Sequence, residues 1–446
     1  MINTYLTNIT PDSISGIIFA FEGLKDTVVL LNGPTGCKFY HSATSDNQMI
    51  RRQEFDPLNY PPIWYFGQPR VPCSFLDKRD YVYGSGEKIR EGIEFLRSRL
   101  SFARLIVVNS PGAALIGDEL ERIVGGCIDD CRVITVESPG YSKYVWDGYS
   151  LACTKIIEEL LPQPGMREKR IRDANKGKCI NILGLSIFHK YYRGSLDELK
   201  RLLEMCGISV CCRLACGNDT EELSSLGEAG LNVVVDARYG LEAARLLRDK
   251  YGTPYMLCDG TPVGFAATEK LVGAICDHLG AAPDDRSRFV TECERARALS
   301  FAHISRVNSL TGLPKGTRFA VQGTACECLG YVRFLVDYFG MTADSVQVLD
   351  RECASDREND ALDLLVSELE RTGMSEAMDR DILDTSAALV FADGNIIASL
   401  KMRGSEFTGI ETALPSIGYI DVIPKTHFGI SGALLICEQV LNGLLY

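Results

Sequence analysis

At 446 residues the chain exceeds one ordinary domain, and two or three are expected. It is 46% hydrophobic and 24% charged, a globular composition, and its net charge of -12 argues against nucleic acid and anionic membrane as main partners. No apolar run reaches spanning length, and no basic segment followed by an apolar core opens the chain, so a soluble, cytoplasmic protein is expected.

The segment "ISGIIFAFEGL" reads as an amphipathic cover for a first strand. That strand lies in "TVVLLNGPTGCKFYH", where the β-branched run Val28 to Leu31 stops at a Gly-Pro-Thr-Gly turn and Cys37 follows at once. In an α/β sheet the carboxyl ends of strands are where ligands bind, although a lone cysteine is as readily a small buried hydrophobe. Cys73 stands in a proline-containing loop, and "SGEKIREGIEFLRSRL" puts Ile89, Ile93 and Leu96 on one helical face. Two further strand–turn–helix units follow, with strands at residues 105–108 and within "CRVITVE" and turns at 109–112 and 137–140. Three such units in series predict a parallel sheet.

Residues 161–178 are rich in Pro, Gly and charge and read as a linker. A fresh alternation then runs through "CINILGLS", "SLDELKRLLEMCG", "ISVCCRL", "LNVVVDA", "YGLEAARLLRDKYG", "TPYMLCDG" and "VGFAATEKLVGAICDHL". A long helix over 284–310 suits a connection between domains. The alternation resumes with "TRFAVQG", "CECLGYVRFLVDYFG", "DSVQVLD", "AALVFADG" and "HFGISGALLICEQVLNGLL". The fold class expected is α/β, with three Rossmann-like doubly wound domains on parallel sheets. Their spans are residues 1–165, carrying the first cysteines, then 178–283, then 284–446 with the linking helix.

There is no GxxxxGK[ST], no GxGxxG after a strand and no GxSxG. Seventeen cysteines, an odd number in a chain without an export signal, favour a reducing compartment and metal or redox chemistry over a disulfide framework. Five histidines make a His-rich zinc site improbable. Cys211, Cys212 and Cys216 cluster at a strand end, and Cys326-Glu327-Cys328 opens a helix, yet neither group has four-ligand spacing. Cys127 and Cys131 read as structural.

Several stretches match one family in order. "VVLLNGPTGCKFYH" resembles the GPxGC cluster-ligating turn of the nitrogenase component 1 superfamily, and "DKRDYVYGSGEKIREGI" the segment after that family's second ligating cysteine. "LIGDELERIV", "ESPGYSKYVWDGY", "AARLLRDKYGTPYM" and "HFGISGALLICEQVLN" are similar to later family elements. The resemblance implies three Rossmann-like domains, in agreement with the periodicity. It also implies that Cys37 and Cys73 are metal ligands, with Gly33, Gly36 and Ser110 beside the cofactor. The family's third cysteine falls at Pro111, so that ligand is missing, and Ser110 offers only an oxygen.

A [4Fe-4S] cluster needs about four thiolates, so two cysteines per chain imply a cluster shared between two chains, in a homodimer or a heterodimer with a related chain. The family's cofactor cysteine in the second domain falls at Asp236, which makes a nitrogenase-type cofactor improbable. An inter-domain pocket like that of the tetrapyrrole reductases is expected instead, with Asp236 and His427 as catalytic candidates and Arg238 and Tyr239 nearby. Burial would let Asp236 donate a proton, while capping of the following helix is the plainer role for it. The function expected is a nitrogenase-like oxidoreductase of unspecified small-molecule substrate, fed by a separate ATP-dependent iron–sulfur reductase. ATP is used only by that partner. A non-catalytic scaffold for metallocluster or tetrapyrrole maturation is the alternative.

Overall fold

The computed structural model describes residues 10–38, 40–41, 71–125, 133–137, 143–161, 176–352, 360–416, 418 and 421–445. Most of the linker at 161–178, the glycine turn at 138–140, and Cys127 and Cys131 lie outside them. The chain groups into two compact units, each with its own interior.

The first unit holds the described residues of 9–163 and 214–224. It contains α1 (Ser13–Glu22), β1 (Thr27–Asn32), α2 (Gly86–Arg99), β2 (Arg104–Asn109), β3 (Val133–Val136) and α3 (Val145–Leu160). The strands form a parallel sheet in the order β1-β2-β3, with Thr27 beside Arg104 and Leu105 beside Val133. Side chains alternate across a strand, so Val28, Leu30, Leu105 and Val107 share one face. They pack there with Ile89, Ile93 and Leu96 of α2. The helical spacing seen in the sequence therefore marks the buried stripe of α2. The amphipathic reading of the first helix needs correction. All ten residues of α1 are buried, because the helix packs against both β1 and α3. A helix covered on two sides has no polar face to leave a period in the sequence.

The second unit holds the described residues of 164–213 and 225–446. One of its sheets comprises β4 (Cys179–Leu183), β5 (Ser209–Arg213), β6 (Leu231–Val234) and β7 (Tyr255–Leu257), in the order β5-β4-β6-β7. It carries α4 (Tyr192–Met205), α5 (Ala237–Tyr251) and α6 (Phe265–His278). The 29-residue α7 (Pro283–Thr311) follows, matching the long helix expected. The other sheet comprises β8 (Arg318–Gly323), β9 (Thr342–Val348), β10 (Leu389–Asp393) and β11 (Thr408–Ala413), in the order β11-β10-β8-β9. Its helices are α8 (Ala325–Phe339), α9 (Ala361–Arg371), α10 (Gly394–Met402) and α11 (Gly429–Leu445). All strand pairs in the three sheets are parallel. The α/β class with three parallel sheets is thus as read from the sequence.

Two departures stand out. The edge strand β11, "TGIETA", escapes the periodicity because it is short and alternates no clear apolar set. The cysteine count favours metal or redox chemistry over a disulfide framework, and it gives no hint of the one disulfide found among the described residues. Cys179 and Cys211, on neighbouring strands β4 and β5, are joined with a Cα–Cα distance of 5.7 Å. A separation of 32 residues gave no sign of the pairing, which follows from strand adjacency alone.

The core of the first unit generates a direct test. Ile93 is 1% exposed and faces the sheet, so Ile93→Ala is expected to destabilise the protein by about 2–5 kcal/mol. Urea unfolding measures this; a loss within experimental error would contradict the packing of α2.

Candidate functional site

Cys37 follows the carboxyl end of β1, and Cys73 lies beside Leu31 of the same strand. Cys73 bridges Leu31 in parallel fashion, held by Leu31 N–H to Pro72 O at 2.9 Å and Ser74 N–H to Leu31 O at 3.0 Å. Cys37 sits in the first turn of a short helix over 35–38 that starts just after Pro34, rather than in an open loop. One buried side chain ties the surrounding loops. Asn32 Nδ2 donates to Asn109 Oδ1 at 2.8 Å and to Ser85 Oγ at 3.0 Å, and Asn32 Oδ1 accepts from Ser74 Oγ at 2.7 Å. Ser74 Oγ in turn accepts from Gly33 N–H at 3.0 Å. Ser110, fully buried, caps the helix Pro111–Ala114 and hydrogen-bonds the Cys37 thiol. Glycine at 33 is required for that approach, since a Cβ there would stand 2.5 Å from Ser110 Oγ. At Gly36 a Cβ would enter open space.

The electrostatics favour thiolate at Cys37. A hydrogen bond from His41 lowers its pKa against the cost of burial, with Ser110 assisting. Burial opposes charge on His41, but Asp12, whose Oδ2 lies 2.7 Å from Nδ1, and Cys37 lift it to about 9. Neither Asp12 nor His41 was singled out in the sequence, although the four-residue spacing in "CKFYH" is a signal that places Cys37 and His41 on one helix face. Metals bind thiolate, the form toward which the surroundings of Cys37 shift it. Among the described residues, no group of three or more His, Cys, Asp or Glu side chains converges to hold a metal ion.

The second unit gathers a different set at strand ends. Asp236, two residues past β6, caps α5 by accepting from Arg238 N–H at 2.8 Å. Its other oxygen accepts from Thr324 Oγ1, at the end of β8, at 2.6 Å. Glycine at 184 makes this close meeting of loop and helix possible, for its φ is +79° and a Cβ would lie 2.3 Å from Asp236 O. Glu327 reaches back to Thr324 N–H at 2.9 Å, completing a capping box on α8. Asp350, past β9, accepts from Arg238 Nε at 2.6 Å and Ala325 N–H at 2.8 Å. His189, from the segment after β4, places Nε2 3.7 Å from Glu327 Oε1 and stacks edge-on to Tyr239 at 5.0 Å. Burial, together with the Glu327 charge, pushes Asp236 up to about 7, and burial likewise pushes Glu327 up to about 7.

No hydrogen bond joins His427 to Asp236 among the described residues. His427 Nδ1 accepts from the Tyr331 hydroxyl at 2.7 Å, and Nε2 donates to Gln439 Oε1 at 2.9 Å. Burial drives its pKa down to about 3, so the ring is neutral and fixed at both nitrogens. The cysteines flanking Glu327 turn to backbone oxygens, Cys326 to Val235 O at 3.3 Å and Cys328 to Gly323 O at 3.7 Å. The sequence missed Glu327, Thr324, Asp350 and His189; "TACE" carries a capping-box spacing that marks the first two.

Both groups of residues lie at carboxyl ends of parallel strands. A family model described as nitrogenase component 1 type oxidoreductase matches residues 13–445. The chain belongs to this family. It is an oxidoreductase of the nitrogenase-like type. The B chain of the light-independent protochlorophyllide reductase of Methylobacterium radiotolerans is 24% identical over 384 residues, covering 85% of this chain and 68% of that protein. The nitrogenase molybdenum-iron protein alpha chain of Methanosarcina barkeri is 24% identical over 262 residues, or 58% of this chain and 44% of that one. In three dimensions the chain is similar to nitrogenase Cp1 at pH 6.5, with a TM-score of 0.74, 17% identity, and 98% and 93% of the two chains covered. Among the described residues no helix is long and apolar enough to cross a membrane.

The raised carboxyls predict an unusual pH dependence of stability. Unfolded, Asp236 and Glu327 titrate near ~4; folded, both sit at about 7. Between those values the folded protein binds more protons than the unfolded chain, so their contribution to stability falls as pH rises through that window. Asp236→Asn removes one of the two groups and is expected to flatten the decline, as read by urea unfolding at a series of pH values. A decline as steep as in the wild type would refute the placement of Asp236 as a buried acid beside other carboxyls.

Proposed function

We propose that this chain is the electron-accepting catalytic component of a two-component reductase. Cys37 and Cys73 hold one half of a [4Fe-4S] cluster, and a second chain, identical or related, holds the other half. When bound, the cluster supplies low-potential electrons. Within this chain, the Asn32 network keeps both cysteine-bearing loops on one strand end, and the His41–Asp12 pair favours the Cys37 thiolate. Ser110 places its oxygen beside Cys37 where the family's third cysteine is missing. A separate ATP-dependent iron–sulfur protein acts as electron donor, in keeping with the absence of a P-loop sequence here.

Reduction of an organic substrate consumes protons along with electrons. Asp236 is the proton source in this reading, because its carboxyl is protonated in part at neutral pH and sits at a strand end where ligands bind. His427, neutral and bonded at both nitrogens, orients Tyr331 rather than titrating. The observation that supports the reading is that Cys37, with its pKa lowered, and Cys73 both stand at the end of β1 within a chain of this family.

Removal of a ligand tests it. Cys37→Ala and Cys73→Ala are each expected to lose the iron bound by the purified wild type and the EPR signal of its reduced form. Reduction driven by a cognate reductase with ATP would fall by at least ~100-fold, on the scale of lost metal-site function. Full iron and an unchanged spectrum in both variants would sink the cluster assignment. Iron binding in the wild type without any ATP-dependent reduction would favour a maturation scaffold instead.

A further inference from the structure

The one disulfide found among the described residues stands close to a point where the chain changes units. β5 is an edge strand, and every position in it except Cys212 is exposed or half-buried. Its ladder with β4 is irregular: Ile180 pairs with Val210, but the next residue, Asn181, pairs with Cys212. Cys211 is therefore the extra residue of a β-bulge, skipped by the register. The bond to Cys179, the first residue of β4, holds it there. Twelve other cysteines among the described residues are free thiols.

β5 ends at Arg213, residues 214–224 then belong to the first unit, and the chain is back in the second unit at Ser225. Ser225 Oγ donates to Cys211 O at 3.1 Å, so the outgoing and returning segments are tied at Cys211. The excursion itself packs where α1 hands over to β1. Gly217 N–H donates to Gly23 O at 2.7 Å, and Lys25 N–H donates to Asn218 O at 3.0 Å. Thr220 N–H donates to Asp26 Oδ1 at 3.0 Å. The fit is close, for a Cβ at Gly23 would stand 1.8 Å from Ala215 O. β1 starts at Thr27 and runs to the turn that carries Cys37.

Exposure decides what such a bond does. Disulfides shut inside a stable fold resist small thiols, whereas those reached from solvent exchange with them. Cys179 is 8% exposed and Cys211 is half-buried on the open edge, so the Cys211 sulfur is the one a thiol reaches. We propose that Cys179–Cys211 is a thiol-sensitive clasp on the root of residues 214–224, opened by a low-molecular-weight thiol and closed by the corresponding disulfide. A thiolate attacks the Cys211 sulfur, the S–S bond breaks, and Cys179 leaves as a thiolate that takes up a proton. A second thiol then cleaves the mixed disulfide at Cys211. Two thiols thus give two electrons and depart as their own disulfide, and both cysteines become thiols. With the clasp open, β5 loses the covalent anchor at its bulge, and the hold of residues 214–224 on the turn before β1 weakens. The clasp stands whether or not Cys37 and Cys73 bind a cluster.

Differential alkylation with peptide mapping, on the full-length protein without denaturant, reads the clasp directly. Incubation with reduced glutathione is expected to convert Cys179 and Cys211 to thiols, and glutathione disulfide to restore the bond. A pair that stays oxidised until the protein is unfolded, or one that does not form again, would overturn the proposal. Amide hydrogen exchange reads the consequence. Reduction should speed exchange at the Gly217, Lys25 and Thr220 amides by about tenfold, while the amides of α5 keep their rate. Cys211→Ser should show the raised rate without any thiol, and Cys179→Ser gives the same reading should that variant fail to fold. Equal rates in the oxidised and reduced wild type would make the bond a staple with no hold on the excursion, and the clasp would fall.

Discussion

Parallel strand pairing is the constraint on which the rest of this molecule depends. A parallel sheet sends every strand in one direction, so each strand's exit loop opens on the same edge. In the first unit that edge receives Gly33, Cys37 and Ser110, and the bridge at Leu31 brings Cys73 beside them. In the second unit the edges receive His189, Asp236, Thr324 and Asp350 from four different strands. None of these residues is close to all the others in sequence. Chain direction, rather than local motif, assembles both groups.

The two assemblies use burial to opposite ends. At Cys37, a protonated histidine compensated by Asp12 stabilises negative charge on sulfur. At Asp236, carboxyls crowd one another and burial penalises their charge. The first arrangement suits a soft metal ligand, and the second suits holding a proton at neutral pH. The two environments stand on separate strand ends.

Much of this was legible in the sequence, for physical reasons that differ by element. The strands of the first sheet and α2 show because they bury one face or a whole run, and that leaves a period. The turn "NGPTGC" shows because Gly and Pro restrict the backbone so sharply. Asp236 as a helix cap was equally readable, since a carboxylate before a helical run has few other roles. What the sequence concealed were pairings made only in space. The bond from Asp236 to Thr324 spans 88 residues, and Asn32 meets Asn109 across 77. The all-round burial of α1 and the Cys179–Cys211 bond belong to the same class. Each depends on which elements become neighbours, which no single window of sequence records.

One buried cation has a consequence for how the chain reaches this state. The Lys190 side chain is 3% exposed and bonds Glu411 at 2.8 Å and Asp421 at 3.3 Å. The partners at 190 and 411 lie 221 residues apart. A contact of that span forms only after a long loop has closed, and it offers nothing until both charges are in place. The edge strand β11 and Asp421 are tied to this lysine, so its stabilising effect is present only once these distant parts of the second unit have come together.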